Sequence, residues 1–229
     1  EDGGNNKLSV SSISISETLK AKITDWLDAN VSFGYNTSEA RRKTVQNAVQ
    51  FYNFQGDAVA QTWPLQKNTY FQQTSSRTDY YSISGYVNGH KTFLDKHNVS
   101  LMLGTQYELT DVEKLGAKIT DIDKGYEVIK GNGTLSLVDN TGSYNYRTAI
   151  MSYFGRLNYD FDSRYLLEFN ARYDGSSKFL PENRWDFFWG LSLGWRINQE
   201  RFLRNVNWIS NLKLRASYAA LGNQSGTAN

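Results

Sequence analysis

Few residues of this chain have the types and spacing that site chemistry requires. The two histidines, His90 and His97, are six residues apart; this is not a metal-ligand spacing, and no carboxylate cluster completes a site. Asp121 and Asp123 resemble the start of a calcium loop, but the third acidic position and the closing glutamate are missing. We therefore expect no metal site and no cofactor.

Sequence motifs of catalysis and of nucleic-acid binding are equally scarce. The chain has no cysteine, which excludes disulfide scaffolds and thiolate metal sites. It also contains no P-loop and no dinucleotide fingerprint. The basic cluster 41–43 belongs to a chain with a net charge of only +2, so a solvated surface patch is favoured over a nucleic-acid site. We predict that the protein is not an enzyme, that it has no catalytic residues and that it binds no nucleic acid.

The charged residues that bear most on function lie on one face of the strands predicted between residues 147 and 222. In the segment 185–197, odd positions are large and apolar, whereas even positions are mostly charged or small. A period of two indicates a strand with one apolar and one polar face. Soluble strands are about 5–6 residues long, and a tilted membrane crossing needs about 9–11. This segment is long enough for a transmembrane strand.

Nine charged residues are assigned to the polar face, where they would line the lumen of a barrel. They are Arg156, Glu168, Arg172, Asp174, Arg184, Asp186, Arg196, Lys213 and Arg215. In a transporter they would contact a plug domain or the water-filled path. The alternative, favoured for most of them, is mutual pairing between neighbouring strands, worth about 0.2–1 kcal/mol a pair.

The same alternation along the chain predicts an all-β fold with eight strands in four antiparallel hairpins. Residues 1–13 are expected to be a loop. Short turns at 24–26, 95–97 and 162–164, with a connection at 198–207 that has room for a helical turn, alternate with long loops at 37–77, 110–146 and 175–183. Outer-membrane barrels have short periplasmic turns and long extracellular loops. The pattern therefore predicts a transmembrane β-barrel in the outer membrane.

Aromatic residues and overall composition agree with a barrel. Aromatics are 14% of the 229 residues, and they recur near both predicted ends of the strands, as in the aromatic girdles of membrane barrels. Mean hydropathy is −0.58, which a barrel tolerates because only alternate residues face lipid. The first residues do not form a signal peptide, so either the signal has been removed or the chain starts inside a larger protein.

Several segments resemble the barrel of SusC/RagA-type TonB-dependent outer-membrane transporters. The most specific are Phe-Gly-Arg-Leu-Asn-Tyr at 154–159, Asn-Ala-Arg-Tyr-Asp-Gly-Ser-Ser-Lys-Phe at 170–179, Trp-Gly-Leu-Ser-Leu-Gly-Trp-Arg-Ile at 189–197, Leu-Lys-Leu-Arg-Ala-Ser-Tyr at 212–218 and Leu-Gly-Asn-Gln at 221–224. The resemblance is weaker over 14–109. It implies a nutrient importer of Bacteroidetes-like bacteria.

The resemblance also implies parts that this sequence does not contain. Such transporters have an N-terminal plug, a TonB box and about 22 strands. We therefore expect residues 1–229 to be a segment of the barrel domain only. The implied function is import of glycans or peptides, together with a SusD-like lipoprotein and driven by the TonB complex through the missing N-terminal part of the chain. Membrane lipid would surround the barrel. Trp63, Tyr70 and Phe71, all in the loop predicted at 37–77, are candidates for contact with substrate because aromatic faces stack on sugars.

Two other hypotheses stay open on the sequence. A complete eight-stranded outer-membrane protein, structural or enzymatic, would require pairing between the strand at 14–24 and the strand at 208–222. A soluble carbohydrate-binding β-sandwich would instead bury the apolar strand faces as its core.

Overall fold

The protein is built almost entirely of β-strands. The computed structural model describes residues 3–49, 51–59, 69–123, 125, 127–131, 133–137, 144–203 and 208–222. The strands are β1 (Gly4–Lys22), β2 (Leu27–Gln46), β3 (Phe51–Tyr52), β4 (Ala58–Val59), β5 (Tyr70–Phe93), β6 (His97–Thr120), β7 (Thr134–Leu137), β8 (Tyr144–Phe161), β9 (Tyr165–Ser176), β10 (Trp185–Arg196) and β11 (Lys213–Ala220). Two single 3₁₀ turns, Pro181–Asn183 and Ile197–Gln199, flank β10. Among the described residues, we find no helix whose length and hydropathy would let it span a bilayer.

Eight long strands form one sheet in the order β1-β2-β5-β6-β8-β9-β10-β11. Neighbours in the sheet are also successive long strands along the chain, and the registers of β8 with β9, of β9 with β10 and of β10 with β11 are antiparallel. The strand β7 adds to β6, and β3 pairs with β4 in a separate hairpin. The predicted all-β antiparallel fold with eight principal strands is confirmed.

The short turns follow directly from local backbone chemistry. Asp162 and Ser163 have φ of 52° and 55°, and the Arg164 amide donates to the Phe161 carbonyl at 2.9 Å. Two successive positive φ values are typical of type I′ turns, whose twist matches that of the flanking strands. The turn after Phe93 repeats this pattern. These turns, expected at 162–164 and 95–97, join strands in register without an intervening loop.

The long strands extend well beyond the predicted boundaries, which corrects three predicted loops. The strand β1 begins at Gly4 inside the expected loop 1–13. Strands β2 and β5 occupy both ends of the loop predicted at 37–77, and β6 and β8 do the same for 110–146. Hydropathy alternates only where one face is apolar, but the hydrogen-bonded ladder continues where both faces are polar. The loop predicted at 175–183 agrees better with the structure, because β9 extends into it only by the strand's last two residues, Gly175 and Ser176.

Residues divide into two compact units. The first unit comprises Glu1–Ser14, Asn36–Asp79 and Asp111–Arg147. Its small core consists of Val45, Phe71 and Ile119, with Ile122 and Ile129 packed against it. The polar extensions of the strands are thus stabilised by one local apolar cluster.

The second unit comprises Ile15–Tyr35, Tyr80–Thr110 and Thr148–Asn229. Its apolar strand face is exposed rather than covered, as the accessibility of Val31, Leu103 and Phe187 shows. In β6 this face runs from Val99 to Tyr107, and stretches of the same nine-residue length occur in four further strands, at 27–35, 153–161, 165–173 and 187–195. An exposed apolar face contradicts the soluble β-sandwich, in which it would be the core.

The ends of the sheet contradict the closed eight-stranded barrel. That alternative requires hydrogen bonds between β1 and β11, but the sheet order places these two strands at opposite ends. Within the described part of the chain, β1 has β2 as its neighbour and β11 has β10. All nineteen residues of β1 are exposed, including Leu8, Ile13 and Leu19.

Candidate functional site on the polar sheet face

Eight of the nine predicted polar-face residues belong to strands β8 to β11, and Arg184 immediately precedes β10. Directly opposed residues of adjacent strands project to the same face. The register opposes Arg196 to Lys213 and Asp186 to Asp174, so the structure assigns these four charges to one side of the sheet.

One polar network on this face centres on Arg172. Its Nε donates to both carboxylate oxygens of Asp174, at 2.7 and 2.8 Å, and its Nη2 donates to the Ser152 hydroxyl at 2.8 Å. The Ser152 side chain is only 1% exposed, and its carbonyl accepts a hydrogen bond from the Thr105 hydroxyl at 3.0 Å. The guanidinium is therefore held in one orientation between β9 and β8, and Ser152 extends the network to β6.

A second network uses amides as bridges. The Nε of Arg156 donates to Asn170 Oδ1 at 2.7 Å, and Asn170 Nδ2 donates to Glu168 at 2.9 Å. On the next hairpin, Arg215 Nη2 donates to the Ser192 hydroxyl at 3.3 Å. Asn170 thus connects a guanidinium and a carboxylate that are not in direct contact.

The prediction that most of these charges pair with each other between neighbouring strands is wrong. Among the described residues, the one ion pair within the set of nine is Arg172 with Asp174, and it lies along a single strand. Across strands, like charges face each other at Asp174 and Asp186 and at Arg196 and Lys213. Like charges directly opposite destabilise a sheet. Pairing within the sheet therefore does not account for this face.

A concavity of about 500 Å³ lies on the polar face near the short turns. Lys213, Arg215 and Lys91 supply positive charge to its lining, and Glu168 and Asp160 supply negative charge. Because both signs of charge converge on one recess, it is suited to a polar partner rather than an apolar ligand.

The turn end of the sheet is fixed by Glu200. Its carboxylate accepts hydrogen bonds from the Tyr165 hydroxyl at 2.8 Å and from the Trp195 indole at 3.0 Å. Arg164 lies 3.7 Å from the other carboxylate oxygen. The hydrogen bonds from Tyr165 and Trp195, with a smaller contribution from the Arg164 charge, lower the pKa of Glu200 below its ordinary value despite partial burial. The ionised carboxylate therefore anchors the connection after β10.

Aromatic side chains contact one another at both ends of the apolar stretches. At the turn end, Phe161 stacks on Tyr165 and Tyr165 on Trp195, with centroids 6.2 and 6.5 Å apart. At the other end, Tyr173 stacks on Trp185 at 5.0 Å, and Tyr153 lies 6.1 Å from the same indole. Aromatic rows at both limits of an exposed apolar face are typical of membrane interfaces.

The predicted substrate contacts have different placements. Trp63 lies outside the described residues. Tyr70 lies beneath the Lys118 ammonium, which is 3.9 Å from the ring centroid. Phe71 is 0% exposed because it packs against Val45 and Ile119, so it stabilises the core and has no ring face for a substrate.

Polar and aromatic residues in the extended strands of the first unit were missed by sequence analysis. Tyr144 and Tyr146 stack at 5.7 Å, and the Lys114 ammonium donates to the Tyr144 hydroxyl at 2.7 Å. Both tyrosines are exposed. One sequence pattern could have revealed these strands: within the first unit their acidic residues fall only on odd positions, and this alternation persists where apolar residues no longer alternate with polar ones. Among the described residues, no group of three His, Cys, Asp or Glu side chains could hold a metal ion.

Comparison with known proteins agrees with this architecture. Residues 3–224 match the family described as "TonB dependent receptor-like, beta-barrel". The chain is 37% identical over 162 residues to the TonB-dependent receptor SusC of Bacteroides thetaiotaomicron, covering 64% of this chain and 15% of that protein. It is 34% identical over 139 residues to the TonB-dependent receptor P39 of Formosa agariphila, covering 61% of this chain and 13% of that protein.

Solved structures share the fold. The structure of the RagAB peptide transporter matches 93% of this chain and 23% of its own chain, with a TM-score of 0.74 and 19% identity. The RagAB peptide importer in the 'open-open' state matches with a TM-score of 0.73 and 19% identity, over 93% of this chain and 22% of its own. The chain thus spans less than a quarter of the proteins that it matches. From the family match over nearly its whole length, this chain belongs to the TonB-dependent receptor β-barrel family.

Proposed function

We propose that the chain is an arc of the barrel of an outer-membrane importer that takes up glycans or peptides. The observation that carries this proposal is the exposed apolar face with its repeated nine-residue stretches. A rise of about 3.3 Å per residue gives each stretch about 30 Å, enough for a tilted strand to cross the hydrocarbon layer. The aromatic contacts at both limits support the same location.

The ends of the sheet support an arc rather than a closed barrel. Unpaired strand edges are not tolerated within lipid, because backbone amides and carbonyls there have no water as a partner. Strands β1 and β11 would therefore pair with further strands of the same polypeptide, to a total of about 22 as in large outer-membrane transporters. The plug domain and TonB box would lie in the rest of that polypeptide and connect the barrel to the TonB complex.

The polar face would then line the lumen. The nine charged residues and the 500 Å³ concavity near the turns would contact the plug or the water-filled path. Like-charged cross-strand neighbours support this assignment, because a plug of complementary charge would offset their repulsion. A SusD-like lipoprotein would cover the opposite end of the barrel and deliver substrate.

Uptake by the native bacterium tests the proposal. Deletion of the gene should abolish growth on one class of oligosaccharide or peptide, and the intact gene should restore it. Collapse of the proton-motive force should stop uptake, and a SusD-like lipoprotein should co-purify from detergent-solubilised outer membranes. Unchanged growth of the deletion strain on oligosaccharides and on peptides would contradict the proposed import.

A further inference from the structure

Charges in the strands of the first unit are divided between the two faces. On one face, here called the mixed face, acids and bases alternate and pair: Arg41 with Glu39, Arg77 with Asp79, and Arg147 with Asp111. All four carboxylates of the described strand residues in this unit are at odd positions: Glu39, Asp79, Asp111 and Glu113. Odd positions share a face because strand side chains alternate.

The even positions form the opposite surface, here called the cationic face. Its charged residues are Arg42, Lys114 and Lys118. Side-chain contacts confirm the parity: Lys114 contacts Tyr144, Lys118 lies over Tyr70, and Ser12 bonds to Ser38 at 3.1 Å. Among the described strand residues of the first unit, this face carries three positive charges and no negative charge.

Aromatic rings and small polar groups accompany these cations. Tyr144 and Tyr146 stack at 5.7 Å and are exposed, and Lys114 lies 4.7 Å from the centroid of Tyr144. One of the three ammonium donors of Lys114 bonds the tyrosine hydroxyl, so two remain for a ligand. Gln72 and Thr74 share the even parity and supply an amide and a hydroxyl between the cations.

We propose that the cationic face binds a negatively charged oligosaccharide, with uronic acid carboxylates or sulfate esters as the recognised groups. The proposal rests on the proposed import function and adds to it the charge class of the substrate. Carboxylates or sulfates would pair with Arg42, Lys114 and Lys118. The apolar faces of sugar rings would stack on the exposed tyrosines, and sugar hydroxyls would bond to the amide and hydroxyl side chains.

Charge complementarity favours an acidic ligand over a neutral one. The mixed face of the same strands shows that acidic residues are compatible with this segment, yet none of them projects to the cationic face. A saccharide is favoured over an acidic peptide because the neutral side chains at even positions of β2, β5, β6 and β8, the strands that carry the cations and tyrosines, are mainly hydroxyls, amides and tyrosines. Leu8 and Val10 share the even parity and are exposed, but they belong to the edge strand β1, so a peptide with apolar side chains would find few exposed apolar partners next to the cations.

Two triple variants of the native full-length polypeptide, purified in detergent, test the proposal. The cationic-face triple is Arg42→Gln, Lys114→Gln and Lys118→Gln. The matched control on the mixed face is Lys7→Gln, Arg41→Gln and Lys43→Gln. It removes an equal number of positive charges, three, from the opposite side of the strands. Calorimetry would measure binding of a galacturonic acid hexasaccharide, a neutral glucose hexasaccharide and a hexaglutamate peptide.

The expected result is tighter binding of the acidic saccharide than of the other two ligands. Partly exposed ion pairs contribute about 0.2–1 kcal/mol each, so the cationic-face triple should weaken binding about tenfold and the control less than twofold. Equal losses for both triples, or equal affinity for the neutral hexasaccharide, would overturn the proposal. Preferential binding of hexaglutamate would overturn the assignment to a saccharide. If import continues in cells while binding does not depend on charge, the inference fails and the import function stands.

Discussion

Replacement of Leu103 by arginine tests directly whether the apolar face contacts lipid. Leu103 is the fifth of the nine residues from Val99 to Tyr107, and it is 53% exposed. Its position puts it about 13 Å along the strand from either limit of the stretch, close to the middle of a band about 25 Å tall. Arginine at the midplane of a lipid-facing strand costs about 2–4 kcal/mol.

The matched control is Leu115→Arg on the same strand. Leu115 has the same parity and is 65% exposed, but it lies twelve residues beyond Leu103 in the sequence and outside the nine-residue apolar stretch. In water, an exposed substitution of this kind changes stability by about 0.5 kcal/mol or less. The two variants should therefore differ by about 1.5–4 kcal/mol, a factor of roughly 10 to 900 in the folding equilibrium.

Urea titration of the full-length polypeptide folded in phospholipid vesicles provides the assay. Folded and unfolded barrels are distinguished by their migration in unheated gels, and wild type, Leu103→Arg and Leu115→Arg would be compared at one lipid composition. A much lower urea midpoint for Leu103→Arg alone supports a lipid-facing band. Equal midpoints for the two variants would refute the assignment of residues 99–107 to the membrane.

Three further predictions concern packing and ionisation. Phe71→Ala should cost about 3–5 kcal/mol because a fully buried ring is removed, whereas Phe54→Ala, at a fully exposed site, should change the urea midpoint little. Since the folded-state pKa of Glu200 is lowered, its contribution to stability is present above the unfolded pKa of about 4.3 and is lost as pH falls through the folded pKa. Glu200→Gln should therefore make the urea midpoint depend less on pH between about pH 7 and pH 3. A pH dependence equal to that of the wild type would contradict the carboxylate's role. Gly175→Ala would place a methyl group 2.6 Å from the ring of Trp185, so indole fluorescence should shift, and an unshifted spectrum would show that the close contact is absent.

The strands of the second unit were predictable from sequence because one face is apolar. Alternation at 185–197 gave the correct parity for β10, and the residues of the turn at 162–164 tolerate the positive φ that the hairpin needs. The family could also be inferred, since its most specific segments coincide with these strands.

The extended strands and the cationic face were not predictable from hydropathy. From Asn36 to Gln46 both faces are polar, so period-two hydropathy is lost although the ladder continues. Phe71 is a candidate for substrate contact on the sequence because aromatic faces stack on sugars and it lies in a predicted loop. Its burial depends on Val45 and Ile119, which are distant in sequence and come together only through strand register. Arg42 and Lys43 are adjacent in a basic cluster, and only the strand assignment separates them onto opposite faces.

The central claim is that these residues are one arc of a large outer-membrane barrel, and the intact mass of the native polypeptide tests it most directly. Mass spectrometry of the outer-membrane protein that yields peptides from this chain would give that mass. The account predicts a value several times 26.2 kDa, since the chain covers 15% and 13% of the two curated relatives described above. A native polypeptide near 26.2 kDa would contradict the account.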